Sequence, residues 1–198
     1  MPETVILARH GESEYSVRGL VNGDPHVRVA LTSRGREEAR ALGEALRERA
    51  IGLCITSDFE RAIETADEAL RGRDVPRLVV PELGDIHMGS YEGKTLAEYR
   101  LWAHNCPPTE EGPGGGESRV EALRRYLVGF GIVAARPERT VLVVSHSLPI
   151  RYVVTAADGV DPRASMGQAD YASAYDLTAE QLRAALDRLS RWVEAPHW

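Results

Sequence analysis

The sequence predicts an α/β protein in which a mostly parallel sheet is sandwiched between helices. Three observations carry that prediction. The runs "TVILA", "GLCIT" and "TVLVV" are apolar at consecutive positions, as strands buried on both faces are. Segments with helical periodicity or capping signals lie between them, which supplies the crossovers that parallel strands need. The 198 residues, 43% hydrophobic and 27% charged, suffice for one substantial core, so a single domain over residues 1–198 is expected.

The elements follow in order. "VILARHGES", residues 5 to 13, starts as a central strand and switches abruptly to Arg9, His10 and Gly11. A polar stretch runs to about residue 30. In "LTSRGREEARALGEALRERA", Ala39, Leu42 and Leu46 share one helical face, with Thr32 or Ser33 as the cap. "GLCITS" is a short strand, and "SDFERAIETADEALRG" a helix announced by a capping box from Ser57 to Glu60 and stopped by Gly72. "RLVVPEL" is a third strand. The stretch from Gly84 to Thr95 is irregular, "LAEYRLWAH" is helical, and "NCPPTEEGPGGGES" has too much Pro and Gly for regular structure. That last stretch is expected to be a mobile surface loop lining the entrance to any site. "RVEALRRYLVGFGIVAA" is a helix, "TVLVVSH" a strand, the region near "PIRYVVTAAD" a helix, "YASAYDL" an alternating edge strand and "TAEQLRAALDRLSRW" the final helix. There is no internal repeat.

Composition excludes several classes of function. A net charge of −6 argues against a general nucleic-acid binder, which needs an excess of Lys and Arg on one face. No apolar run is long enough for a membrane span, and "MPETVIL" has neither a basic n-region nor a cleavage site, so a cytoplasmic location is expected. Cys54 and Cys106 are assigned no chemistry, Cys54 lying in an apolar segment as a buried free thiol would. Self-association as a homodimer is compatible with this composition.

In open parallel sheets, ligands bind beyond the carboxyl ends of the strands. One strand here ends in Arg9-His10, another in Ser145-His146, and "GLCITS" runs into a helix carrying Arg61 in its first turns. Taken singly, these residues read as polar strand ends, a core histidine and a solvated helix residue. Gathered on one edge they would repel each other unless an anion or a carboxylate balanced them. A phosphoryl group fits, since Arg supplies bidentate donors, Gly11 and Gly23 would let backbone N–H groups come close, and the helix after Ser57 adds its positive end. A neutral imidazole could then attack phosphorus. His26, His87, His104 and His197 read as surface or loop residues. A metal site from His10, Asp85, His87 and His146 is disfavoured, because two adjacent arginines would oppose a divalent cation.

Four motifs in order resemble those of the histidine phosphatase superfamily, which includes the cofactor-dependent phosphoglycerate mutases. "RHGES" is similar to the nucleophile motif, "SDFERAIETA" to the second arginine motif, "GDIHMGSYEGKT" to the acid segment and "VLVVSHS" to the second histidine motif. The resemblance covers nearly the whole chain. It implies a three-layer α/β/α sandwich of the phosphoglycerate mutase type, with a short cap or loop insertion at about residues 95–119. It also implies His10 as a nucleophile that becomes phosphorylated, Arg9, Arg61 and His146 around the transferring group, and no required metal or cofactor. Asn22 aligns with a polar phosphate-loop position, so the phosphate-binding set becomes Arg9, His10, Asn22, Gly23, Arg61, His146 and Ser147.

The sequence departs from the family at the acid. Asp85 stands where the family usually has Glu, with Glu82 three residues earlier as a possible substitute. Ser16 replaces a frequent Asn, and Ser147-Leu148 a common Gly-Gly, although both keep their backbone donors. The expected function is hydrolysis of a phosphomonoester, a small phosphorylated metabolite, through phosphohistidine. One alternative is a cofactor-dependent phosphoglycerate mutase. It is disfavoured because the segment between Gly93 and Ser118 is short and has only Lys94 and Arg100 against Glu98, Glu110, Glu111 and Glu117. A second alternative is a degenerate domain that binds a phosphorylated ligand without turnover, for which Asp85 is the only support.

Overall fold

The computed structural model describes residues 1–198. In chain order the elements are β1 (Thr4–Arg9), α1 (Glu14–Val17), α2 (Ser33–Ala45), β2 (Leu53–Thr56), α3 (Glu60–Ala69), β3 (Arg77–Val79), α4 (Leu96–Ala103), α5 (Arg119–Ala134), β4 (Thr140–Ser145), α6 (Ser147–Ala157), β5 (Ala174–Thr178) and α7 (Ala179–Glu194). Two 3-10 turns, Pro81–Leu83 and Gly89–Tyr91, punctuate the path from β3 to α4.

The strand order is β3-β2-β4-β1-β5, with β5 antiparallel to β1 and every other pairing parallel. Alternate residues of the central strands feed two apolar clusters. Val5, Leu7, Leu53, Ile55, Val141 and Val143 pack with α5, α6 and α7 on one face. Ile6, Ala8, Cys54, Leu142 and Val144 pack with α2 and α3 on the other. This is the expected three-layer sandwich, and β1 and β4 are apolar over residues 5–8 and 141–144 because each is covered on both sides. No helix is long and apolar enough to cross a membrane.

Local signals place most boundaries. Thr32 caps α2 by accepting from the Gly35 N–H, and Thr95, Ser118 and Thr178 each form a reciprocal capping box at the start of α4, α5 and α7. The box expected at Ser57 does not form. The third helix has Phe59 at its cap position with no side-chain cap bond, and the Ser57 hydroxyl instead meets the Nε2 of buried His146 at 2.8 Å. A buried ring nitrogen without a partner is costly, and the hydroxyl at the end of β2 is placed to satisfy it. The short α1 lies inside a stretch read as irregular polar chain, too short to show a period.

The loop 105–118 also differs from expectation. Its Gly112 and Gly116 bridge each other, Pro113 accepts from the Ser90 N–H at 2.6 Å, and the Glu117 N–H donates to the His87 carbonyl at 2.9 Å. Gly89 (φ +55°) and Gly114 (φ +72°) sit where a Cβ would strike this crossing chain, so the glycines serve a close approach of two backbones. The loop is pinned to the acid segment and contributes nothing to the wall of the central cavity, which α4 and Arg119 line instead.

The register fixes what meets at the sheet edge. Arg9 pairs with Ser145 and Thr56 with Val144, so β2, β4 and β1 end side by side, followed by Ser57, His146 and His10 respectively.

Candidate active site

His10 and His146 pack as an edge-on pair with ring centroids 5.2 Å apart, both almost fully buried. Their tautomers follow from their partners. A carbonyl can only accept, so His10 donates through Nδ1 to the Gly11 oxygen at 2.8 Å. An arginine can only donate, so His10 Nε2 carries the lone pair facing Arg61 Nε at 3.1 Å. His146 is the mirror case. Its Nδ1 faces Arg61 Nη2 at 3.2 Å, which leaves the proton on Nε2 for Ser57.

Arg61 is the hub. Besides the two imidazoles it reaches the Asn22 side-chain oxygen at 2.6 Å and the Asn22 carbonyl at 3.0 Å, and its guanidinium lies 4.4 Å over the Phe59 ring. Burial lowers its pKa to about 10, still far above neutrality, so it stays a cation. Asn22 in turn donates to the Asp24 carbonyl at 2.9 Å, which fixes the loop that approaches Arg61.

Arg9 is held differently. Its Nη1 donates to the Ala169 carbonyl at 2.8 Å and its guanidinium stacks 3.9 Å from the centre of the Tyr171 ring, while its Nε is buried without a partner. The next residue, Ala172, takes a left-handed backbone (φ 43°) that directs its N–H to the Arg9 carbonyl at 3.0 Å. A stacked, desolvated guanidinium with a spare donor is poised for an anion.

The two carboxyl candidates separate clearly. Asp85 lines the cavity, with Oδ2 3.7 Å from Arg61 Nη2 and 3.8 Å from His146 Nδ1. Glu82 lies in the 3-10 turn after β3, packed against Gly129 of α5 and away from the cavity. Burial raises the Asp85 pKa against the opposing charge of Arg61, so its carboxyl keeps a proton to higher pH than an ordinary Asp. Arg125 holds the segment from beneath, donating to the carbonyls of Glu82, Gly84 and Asp85 at 3.0, 3.1 and 2.9 Å while paired with Glu117 at 2.6 Å.

The glycines have other duties than expected. The Gly23 N–H is taken by the Glu92 carboxylate at 3.0 and 2.9 Å, and a Cβ there would strike the Ile86 carbonyl. The Gly11 N–H donates to Thr65 at 3.0 Å, and a Cβ there would strike the Gly35 carbonyl. Ser147, the first residue of α6, lines the cavity beside Leu148; its hydroxyl accepts from the Ala169 N–H at 2.9 Å. No side chain caps α6, so its first N–H groups have no partner within the helix.

Arg125 and Tyr171 have no signal in the sequence, Ser57 reads there as a helix cap, and Thr65 and Glu92 only as parts of the second arginine motif and the acid segment. Each is polar or aromatic within an unremarkable element and matters only through a partner distant in sequence. His87 is exposed on its loop and takes no part, whereas exposed His104 lines the cavity mouth. No group of three or more His, Cys, Asp or Glu side chains is placed to hold a metal ion.

The two imidazoles have a consequence for stability. Burial, and after it the charge of Arg61, holds both pKa values well below the usual histidine range. Unfolded histidines take up protons near pH 6.5, these two only at lower pH, so below about 6.5 the unfolded chain binds more protons and stability falls with pH. Calorimetry is expected to find Tm decreasing between pH 7 and pH 5.5, with a shallower slope in His10→Asn. A Tm that rises over that interval would contradict the assignment of neutral rings.

Residues 5–191 match the profile of the histidine phosphatase superfamily (branch 1). The adenosylcobalamin/alpha-ribazole phosphatase of Salmonella typhimurium is 34% identical over 152 residues, 71% of this chain and 72% of that protein. The phosphoglycerate mutase of Candida albicans is 31% identical, with 89% of this chain and 81% of that protein covered. Among solved structures, the mycobacterial glucosyl-3-phosphoglycerate phosphatase complexed with VO3 superposes with a TM-score of 0.74 at 29% identity, covering 89% of this chain and 92% of that one.

Proposed function

As the chain belongs to the histidine phosphatase superfamily, branch 1, we propose that it is a phosphomonoester hydrolase acting on a small phosphorylated metabolite through a phosphohistidine at His10. The observation that carries this reading is the His10 Nε2 lone pair, fixed by the Gly11 carbonyl, on a residue that lines the same cavity as Arg9, Arg61 and Asp85.

In the first step Nε2 forms a bond to phosphorus as the ester P–O bond breaks, and the protonated Asp85 carboxyl gives its proton to the departing oxygen. In the second, Asp85 takes a proton from water, whose oxygen bonds to phosphorus as the P–N bond breaks; inorganic phosphate leaves and His10 returns to its neutral form. The transferring group spreads negative charge over three oxygens, and Arg9, Arg61, Asn22, Ser147 and His146 are the donors that would meet them. His146 would donate only after turning or protonating, because its present proton points to Ser57. Gly11 and Gly23 act by allowing close backbone packing. The raised pKa of Asp85 and its place in the cavity support it over Glu82 as the acid.

Similarity to both phosphatases and a mutase leaves two fates for the phosphohistidine, and hydrolysis is the one favoured here. A mutase must shield the phosphoenzyme from water long enough to return the group, which calls for a closing cap. The insertion at residues 95–119 offers one eight-residue helix and a loop pinned away from the cavity. Given 3-phosphoglycerate with a catalytic amount of 2,3-bisphosphoglycerate, the protein is expected to form little 2-phosphoglycerate and, on a preferred ester, to release inorganic phosphate. Rapid interconversion of the phosphoglycerates with negligible phosphate release would establish the mutase instead. Activity is expected to survive EDTA and to be inhibited by vanadate; loss in EDTA restored by zinc or manganese would overturn the metal-independent reading.

A further inference from the structure

The central cavity, of about 200 Å³, has a charge imbalance that a phosphoryl group leaves unaccounted for. Four arginines line it, Arg9, Arg61, Arg100 and Arg119, against the single carboxylate of Asp85. Arg9 and Arg61 serve the phosphoryl end. Arg100 and Arg119 stand on the α4 and α5 wall, with His104 beside them.

Arg119 is the more informative of the two. It is half-buried; burial opposes its charge, the tyrosines Tyr152, Tyr99 and Tyr126 around it outweigh that and raise its pKa, and no carboxylate is among the groups that act on it most. It is also the first residue of α5, where the helix dipole disfavours a cation and favours an anion. The Glu121 carboxylate of the capping box already meets that dipole, but the cavity wall offers Arg119 no carboxylate other than that of Asp85. Next to it, the Tyr99 hydroxyl is buried without a hydrogen-bond partner on a residue that itself lines the cavity. One anionic group would pair with the arginine and accept from the Tyr99 hydroxyl together.

We propose that Arg119 and the Tyr99 hydroxyl, with Arg100 and His104 at the rim, form a subsite for a second anionic group, carboxylate or phosphate, on the phosphomonoester. The inference rests on the reading of the His10 end as the phosphoryl site and adds the substrate class: an ester whose body carries a second negative charge. Between the two ends the wall is largely apolar, with Leu20, Leu96, Met88, Leu148 and Met166, which suits a carbon skeleton.

The test compares matched esters that differ only in the second charge. 3-Phosphoglycerate against glycerol 3-phosphate probes a carboxylate, and 1,3-propanediol bisphosphate against 3-hydroxypropyl phosphate probes a second phosphate. The anionic member of at least one pair is expected to have a kcat/KM higher by about tenfold or more, as one charge-assisted contact supplies. That ratio should collapse towards one in Arg119→Gln, and fall part-way in Tyr99→Phe, a smaller change whose folding can be checked by its melting curve. Preference in one pair alone identifies the anion; preference in both means the subsite accepts either. Equal kcat/KM within both pairs, or a preference that survives both substitutions, would overturn the subsite while p-nitrophenyl phosphate hydrolysis left the phosphatase reading standing. Absence of phosphate release from every ester would instead count against the phosphatase reading itself.

Discussion

His10→Ala is expected to lower turnover of phosphate esters by roughly 10³-fold or more, the scale seen when an enzyme loses its nucleophile. His10 lines the cavity with a lone pair on Nε2, whereas His146 lies outside the lining, with its Nδ1 lone pair against Arg61 and its Nε2 proton on Ser57. The fold should survive, because the substitution leaves β1 and its register with β4 intact. The check pairs steady-state assays with circular dichroism, and adds labelling by a phosphate ester followed by a quench in alkaline denaturant. Wild type should give a phosphoprotein that survives base and is lost in acid, and the variant none. A folded His10→Ala protein that still turns over would end the phosphohistidine mechanism for this chain.

Asp85→Asn should lower turnover of alkyl phosphates by about 10²-fold or more, and affect esters with good leaving groups such as p-nitrophenyl phosphate much less, because only a poor leaving group needs the proton. The pH dependence gives a second readout. Burial raises the Asp85 pKa, so the acid form persists above the usual Asp range and is lost as pH rises through that raised value. Turnover limited by leaving-group protonation should therefore fall along an alkaline limb that Asp85→Asn abolishes. Glu82→Gln should remain close to wild type, as Glu82 stands outside the cavity. If Glu82→Gln instead produced the leaving-group effect, the assignment of the acid would move to that residue.

The fold was legible to the extent that its signals are local. Continuous apolar runs identify β1, β2 and β4 because double-sided burial leaves no alternation, and Thr32 marks the start of α2 because capping spans only three residues. The same rule failed at Ser57, where a tertiary partner, His146, competed for the hydroxyl. It also failed at the loop 105–118, whose glycines read as freedom and in fact allow close packing against residues 87–90.

The sequence by itself determined the inner set of the candidate site. Arg9, His10, Arg61, Asp85 and His146 follow from motif order and from the tendency of parallel sheets to gather their strand ends on one edge; the first four line one cavity, and His146 lies fully buried behind it, against Arg61. Only the tertiary structure decided the proton positions on the two imidazoles, the separation of Asp85 from Glu82, the Tyr171 stack on Arg9 and the cationic wall at Arg119. Motifs record which side chains lie at the end of an element, a property of a few consecutive residues. Hydrogen-bond partners, burial and local charge balance depend on which distant segments the sheet register and helix packing bring within a few ångströms, and pairwise electrostatics at that range sets the pKa of each group.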